Sequence, residues 1–280
     1  MRGDLRDAVG PVFDFASTAP PWVMMVSQVV LTTAVVRISQ AILDQNNPLF
    51  RLLEEFICVF QTIVFSYELG VIRRAYGPLL YSVALFLAIM FYARLYRRFV
   101  FNNPAVTVHK YIAQRGMSDV ELVQHIGVQV AAAWVGFMYV HWIWASPLSE
   151  PVHKEQLALF VPCKSFINVS LVNAILVETT IAFIVRFVAH GGAFGLPLGR
   201  YGPVFPALAC VACTLIGFSY TGGFYNPTLA FSMQYNCSGH DNWEFAAVYV
   251  AGPLIASFIV GLYGDAIWRR LKPRDPATSE

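Results

Sequence analysis

The sequence predicts an all-α membrane protein. It has two inverted half-repeats of three spanning helices, two half-helices that meet at the midplane, and an extra N-terminal apolar segment. Three observations carry this. Of 280 residues, 57% are hydrophobic and only 13% are charged, with a mean hydropathy of +0.55, whereas soluble domains carry about 25% charged residues. Long apolar stretches recur along the chain at roughly the 20 residues that a helix needs to cross a bilayer. Two Asn-Pro motifs occupy matching places in an internal duplication, and each opens an apolar segment too short to span.

The long stretches cover about residues 22–43, 52–72, 78–98, 120–145, 166–188, 203–220 and 245–268. None shows sustained strand alternation, which excludes a β-barrel. Segment 22–43 contains Gln28 and Arg37. It is read as a seventh spanning helix, with a signal anchor or an in-plane helix as alternatives.

The short segments are Asn103-Pro104-Ala105-Val106-Thr107-Val108 and Asn226-Pro227-Thr228-Leu229-Ala230-Phe231. Each runs for about ten residues before polarity returns, enough for half a bilayer. Asn is a favoured helix cap, and Pro is tolerated at the first helical position. A third pair, Asn47-Pro48, precedes a full-length stretch and is assigned no function.

The duplication separates the two short segments from the third pair. Glu55 precedes Asn103 by 48 residues, and Glu178 precedes Asn226 by the same 48. A Gly-Pro pair opens the next span in each half (Gly77-Pro78 and Gly202-Pro203), and Gly127, Gln129, Gly252 and Pro253 fall in the closing spans. Three spans per half is an odd number, so the halves are inverted, and short helices at matching positions mark the site. The resulting organisation is an N-terminal region (1–48), a channel domain (49–268) and a tail (269–280). The channel domain divides into repeat one (49–146), a linker loop (147–165) and repeat two (166–268).

Two half-helix N-termini meeting at the centre place partial positive charge there, which repels cations and protons. The Asn103 and Asn226 amides then donate hydrogen bonds to a passing neutral molecule. Pro104, Ala105, Pro227 and Thr228 shape the junction. Glu55 and Glu178 have two readings. One is a proton relay. The other, preferred here, is a buried acceptor for the backbone N–H groups of the loop that enters each half-helix.

These motifs resemble the paired NPA boxes of the aquaporin (major intrinsic protein) family over about residues 52–268, with Thr228 in place of the second alanine. The sequence is most similar to the superaquaporin branch (aquaporin-11 and aquaporin-12 type). The stretch Glu55-Phe-Ile-Cys-Val-Phe-Gln61, the loop Pro162-Cys163-Lys164 and the position of Cys237, nine residues after Thr228, carry that likeness. The resemblance implies a passive channel for water and small neutral solutes such as glycerol or hydrogen peroxide. It also implies a homotetramer in an intracellular membrane, the endoplasmic reticulum, with the plasma membrane as an alternative. It implies a constriction near Val83, Thr214, Gly223 and Leu229. Leu229 stands where ordinary members have arginine, so the ring is wider and less polar than a strict water filter, and Ala230 stands where glycerol channels have aspartate, so that marker does not favour glycerol. The stretch 97–102 lacks the small residues usual before the first box.

Basic residues gather at Arg94, Arg97, Arg98, His109, Lys110, Arg115, Arg186, Arg200, Arg269, Arg270, Lys272 and Arg274. The positive-inside rule assigns them to the cytoplasm, with Arg73 and Arg74 dissenting. Cys237 lies 11 residues past Asn226, roughly 16 Å along a helix, and so emerges on the face of Cys163. In an oxidising lumen the two either form a disulfide or remain separate thiols. Asn168 and Asn236 head glycosylation sequons too close to the membrane to be used. Cys210 and Cys213 read as helix packing, and Gly-rich residues 190–199 as a flexible loop. Small residues, among them Gly136, Gly252, Ala256 and Gly261, allow close helix packing.

Six histidines with no metal spacing, and no catalytic constellation, argue against an enzyme, a metal site or a cofactor. A net charge of +2 does not point to nucleic acid, and the expected partners are membrane lipid and the permeating solute. Rival readings are a seven-helix receptor, a proton-coupled transporter and a non-conducting scaffold derived from the channel fold.

Overall fold

The computed structural model describes residues 20–44, 47–97, 99–114, 117–147, 149, 151–160, 162–193 and 202–271. Of the basic flank, Arg98, Arg115, Arg200, Lys272 and Arg274 lie outside them, as do residues 1–19 and positions 194–199 of the Gly-rich segment. Among the described residues there is no strand, only an isolated bridge between Lys164 and Ser238.

Helix α1 (Pro21–Ile42) is long and apolar enough to cross a membrane. It runs antiparallel along α2 (Pro48–Leu95), tied to it at three heights. Gln28 Nε2 donates to Glu68 Oε1 at 3.5 Å, Gln61 Nε2 to Thr32 Oγ1 at 2.6 Å, and Gln40 Nε2 to Glu54 Oε1. Polar side chains facing each other in a helix pair satisfy groups that lipid cannot.

Within α2 the expected spans 52–72 and 78–98 are two helical segments that meet at a sharp break at Gly77. Gly77 adopts φ 82° and ψ 179°, a conformation that side-chain-bearing residues avoid, and Pro78 offers no N–H to carry the ladder across. Arg73 and Arg74 are therefore helical rather than in a loop.

Half-helix α3 (Pro104–Gln114) is followed by α4 (Asp119–Ala145), which Ser118 and Glu121 open with a reciprocal capping box. The linker loop contains a helix, α5 (Pro151–Phe160), that the sequence reading did not anticipate. Buried Glu68 holds it, accepting from His153 Nε2 at 2.9 Å and from Trp144 Nε1 at 2.9 Å.

Helix α6 (Leu171–Ala193) starts five residues later than expected and continues into the Gly-rich segment. Residues 166–170 are not helical, and there Phe166 N donates to Gln234 Oε1 at 2.7 Å and Asn168 N to Tyr220 O at 2.9 Å. Helix α7 (Val204–Gly217) has 14 residues, about 21 Å. It stops short of 220 because the chain must turn into the second motif.

Half-helix α8 (Pro227–Gln234) precedes α9 (Asn242–Phe245), a π-helical turn (Ala246–Ala251) and α10 (Gly252–Leu271), which together form one apolar span.

Small residues mark the close crossings. A side chain at Gly136 on α4 would meet Ile63 of α2 at 3.0 Å, and one at Gly261 on α10 would meet Ile112 of α3 at 3.0 Å. Gly252 similarly faces Thr179 of α6 at 3.0 Å. Large apolar side chains such as Val30, Leu79, Trp142, Val172 and Ile216 are exposed on the outside. Water would not tolerate such a surface, and hydrocarbon does. The chain is a multi-pass membrane protein.

Candidate pore

Asn103 and Asn226 cap α3 and α8. Asn103 Oδ1 accepts from Ala105 N at 2.8 Å, and Asn226 Oδ1 accepts from Thr228 N at 3.1 Å. Thr228 adds a second bond, Oγ1 to Asn226 Oδ1 at 2.8 Å, which an alanine could not make. The two caps also reach across to each other's loop. Asn103 Nδ2 donates to Tyr225 O at 3.1 Å, and Asn226 Nδ2 donates to Asn102 O at 3.2 Å.

Those two carbonyls are aimed by backbone strain. Asn102 and Tyr225, each one residue before its cap, both have positive φ, 60° and 37°. Such geometry costs about 1–3 kcal/mol per residue, so the surroundings must hold it. The repeat glutamates do so. Glu55 accepts from Phe101 N at 2.8 Å and Asn102 N at 2.7 Å, while Glu178 accepts from Phe224 N at 3.1 Å and Tyr225 N at 2.7 Å. Both glutamates are fully buried.

The remaining partners differ between halves. Glu55 also accepts from Gln129 Nε2 at 2.7 Å and faces His125 Nδ1 at 3.3 Å. Glu178 instead accepts from Thr221 Oγ1 at 2.6 Å. The offset of 123 residues that maps Glu55 onto Glu178 maps Gln129 onto Gly252, which carries no donor and packs on Thr179.

Two cavities lie beside the half-helix N-termini, and the asparagines line one of them. One, of about 470 Å³, lies on the side of Arg73, Pro78 and Phe166. The other, of about 440 Å³, lies on the basic face with Arg97, Asn103 and Asn226. Ser66, Leu85, Phe224, Tyr225 and Leu229 line both, so the cavities adjoin where the half-helices meet.

Of the four constriction positions, Thr214, Gly223 and Leu229 line the first cavity. Gly223 (φ 65°) lies against α7 so closely that a Cβ would meet Thr214 O at 2.8 Å. Val83 does not join them. It is 45% exposed on the outer face of α2, whereas Tyr81 and Leu85 face the cavity. The bend at Gly77 resets the helical phase, so family spacing counted along the chain falls on the wrong face.

Three residues at the cavities were not among the site residues read from sequence. Tyr225 lies between the cavities with its hydroxyl 3.1 Å from Thr214 Oγ1. Cys210, read as packing without polar neighbours, lines the second cavity beside Arg186 and Tyr225. Arg186, counted with the basic flank, lines that cavity too. Cys213 does pack in an apolar cluster with Ile181 and Val185.

On the opposite face Cys163 and Cys237 form a disulfide, with Cα atoms 4.9 Å apart. It ties the linker to the end of α8. Ser165 N to Ser238 O at 2.8 Å and Ser238 N to Cys163 O at 3.0 Å reinforce the tie.

No protein-family profile matches the chain. Among curated proteins it is 27% identical to an aquaporin-11 of Milnesium tardigradum, over 81% of this chain and 80% of that one. It is also 27% identical to the aquaporin-12 of Mus musculus, over 74% and 70% of the two chains. Among solved structures it superposes on the aquaglyceroporin of Plasmodium falciparum with a TM-score of 0.61 at 16% identity, covering 80% of this chain and 98% of the other. That likeness carries the fold. Taken with the two cross-bonded caps, the relatives' identity along most of the chain supports a superaquaporin-type aquaporin.

Proposed function

We propose that this protein is a passive channel for water and small neutral solutes, glycerol and hydrogen peroxide among them. The observation that carries the reading is the pair of asparagines where the two cavities adjoin. Each Nδ2 has two N–H donors, and the cross-loop bond uses one. The second is left for a solute passing from one cavity to the other. Two half-helix N-termini at the same place disfavour cations and protons. Glu55 and Glu178 serve as braces rather than proton carriers, since their oxygens already accept from the loops they support.

Thr214, Gly223 and Leu229 form the narrow part, together with Tyr225 and without Val83. An apolar Leu229 in place of arginine favours less discriminating passage than a strict water filter. The likeness to aquaporin-11 and aquaporin-12 supports a homotetramer in an intracellular membrane such as the endoplasmic reticulum, where a Cys163–Cys237 disulfide would persist.

The test is light scattering of proteoliposomes after an osmotic step, with wild type beside Asn226→Asp. Shrinkage well above protein-free vesicles, lost in the variant, supports the reading. A wild-type rate equal to bare lipid, with peroxide and glycerol uptake also at background, refutes it and favours the non-conducting scaffold.

A further inference from the structure

The two vestibules are lined by four arginines, and among the described residues no Asp or Glu lines either. Three of the arginines are engaged. Arg74 pairs with Glu155 at 3.7 Å, Arg97 with Glu54 at 4.0 Å, and Arg73 lies 3.3 Å from the centroid of the Phe218 ring. Arg186 differs. Among the described residues it has no carboxylate within 4.0 Å and no hydrogen bond, and its neighbours include the Cys210 thiol, the Tyr225 hydroxyl and the further basic groups His109 and Lys110.

Its place in the repeat sharpens the point. The 123-residue offset maps Arg186 onto Ile63, which is fully buried and apolar. The charge was thus introduced in one half only, two helical turns past Glu178. A guanidinium does not deprotonate in proteins, and an unpaired one in an apolar setting is very costly. In the channel reading, water in the adjoining cavity of about 440 Å³ offsets that cost. Five unclaimed donors in a planar fork suit a small anion, an oxyanion best of all. The N-termini of α3 and α8, capped by Asn103 and Asn226 in the same cavity, add potential of the same sign.

We propose that Arg186 makes the vestibule on the basic face a binding site for a small monovalent anion of the nitrate or chloride class and a barrier to cations. It thereby replaces the charge that Leu229 does not supply. The assignment rests on the channel reading in one respect, that the vestibule is open to water.

Cys210 reports on the site from inside it. The full-length protein in lipid nanodiscs, with both faces accessible, is treated with sulfonatoethyl or trimethylammonioethyl methanethiosulfonate. Labelling of Cys210 is followed by mass spectrometry, and rates are divided by those of a free thiol. Any change in Cys210 thiolate fraction affects both reagents alike and cancels in their ratio. Wild type is expected to prefer the anionic reagent by about tenfold or more, with millimolar nitrate slowing that reagent. Arg186→Gln brings the ratio near one and removes the nitrate effect, while Arg186→Lys retains the preference.

A wild-type ratio near one overturns the proposal. So does an unchanged ratio in Arg186→Gln, or a Cys210 that neither reagent labels. Should the Gln variant not fold, the wild-type ratio and nitrate protection decide. Osmotic shrinkage of proteoliposomes made from the same purified protein separates the two ideas. A preserved ratio without shrinkage removes water conduction and leaves the anion site, and shrinkage with a ratio near one removes only the site.

Discussion

Replacing Glu178 by alanine removes the acceptor of three hydrogen bonds at once: Thr221 Oγ1 at 2.6 Å, Phe224 N at 3.1 Å and Tyr225 N at 2.7 Å. Glu178 is fully buried and Thr221 and Phe224 are buried, so no bulk water stands ready to substitute. A buried donor left unpaired costs about 1–3 kcal/mol. Three of them come to about 3–9 kcal/mol, and about 5 kcal/mol is a working value if some water enters the space vacated. Released from its clamp, Tyr225 also relaxes from φ 37°, withdrawing the carbonyl that Asn103 Nδ2 uses. Both halves of the junction should therefore loosen together. At about 2–4 °C per kcal/mol for a chain of this size, the melting midpoint falls on the order of 10–20 °C. The assay is thermal unfolding of the solubilised protein, followed by size-exclusion recovery after heating. Glu178→Gln keeps one acceptor oxygen and should fall between alanine and wild type. An alanine variant melting within about 3 °C of wild type would refute the brace. A stable Gln variant that has lost a proton-driven flux would restore the relay.

Two further outcomes are expected. Cys237→Ser opens a loop whose ends are 74 residues apart in sequence, which lowers stability by about 2–4 kcal/mol. The wild type alone should change mobility on a gel when reduced, and identical mobility with and without reductant would exclude the bond. Gly217→Ala places a Cβ 2.7 Å from Gly223 Cα, a backbone atom that cannot swing aside. The cost is about 1–3 kcal/mol, and Gly223 is displaced where it lines the first cavity. Solute permeability per folded protein should change in this variant, whereas unaltered melting and permeability would show that α7 and the loop can slide apart freely.

Much of this molecule can be read along the chain. Asn-Pro occurs at 47, 103 and 226, and at each the asparagine oxygen accepts from a backbone N–H two residues on, at 2.9, 2.8 and 3.1 Å. The capping chemistry is local, and three adjacent residues contain all of it. The 48-residue spacing from glutamate to cap is also legible, because a carboxylate must lie one span away from the loop it braces. The linker helix α5 was not legible. It is held by Glu68 from a helix more than 80 residues earlier in the chain, and its own sequence, Pro151-Val-His-Lys-Glu-Gln-Leu-Ala-Leu-Phe160, has little apolar periodicity.

The sequence by itself determined that the chain lives in lipid, that it is built twice, and where each half-helix begins. Composition, spacing and capping are properties of short stretches. Tertiary structure alone decided which side chains look into the two cavities. A single bend at Gly77 turned Val83 outward and Tyr81 and Leu85 inward. The approach of α6, α7 and the Tyr225 loop brought Arg186 and Cys210 to a cavity they share with Asn226. The same approach distinguished Asn103 and Asn226 from Asn47, which has the same cap and, among the described residues, no hydrogen bond to the loop of another asparagine cap. The reason is geometric. Helical phase and the crossing of helices far apart in sequence set the direction of a side chain, and neither is a property of the residue or its neighbours.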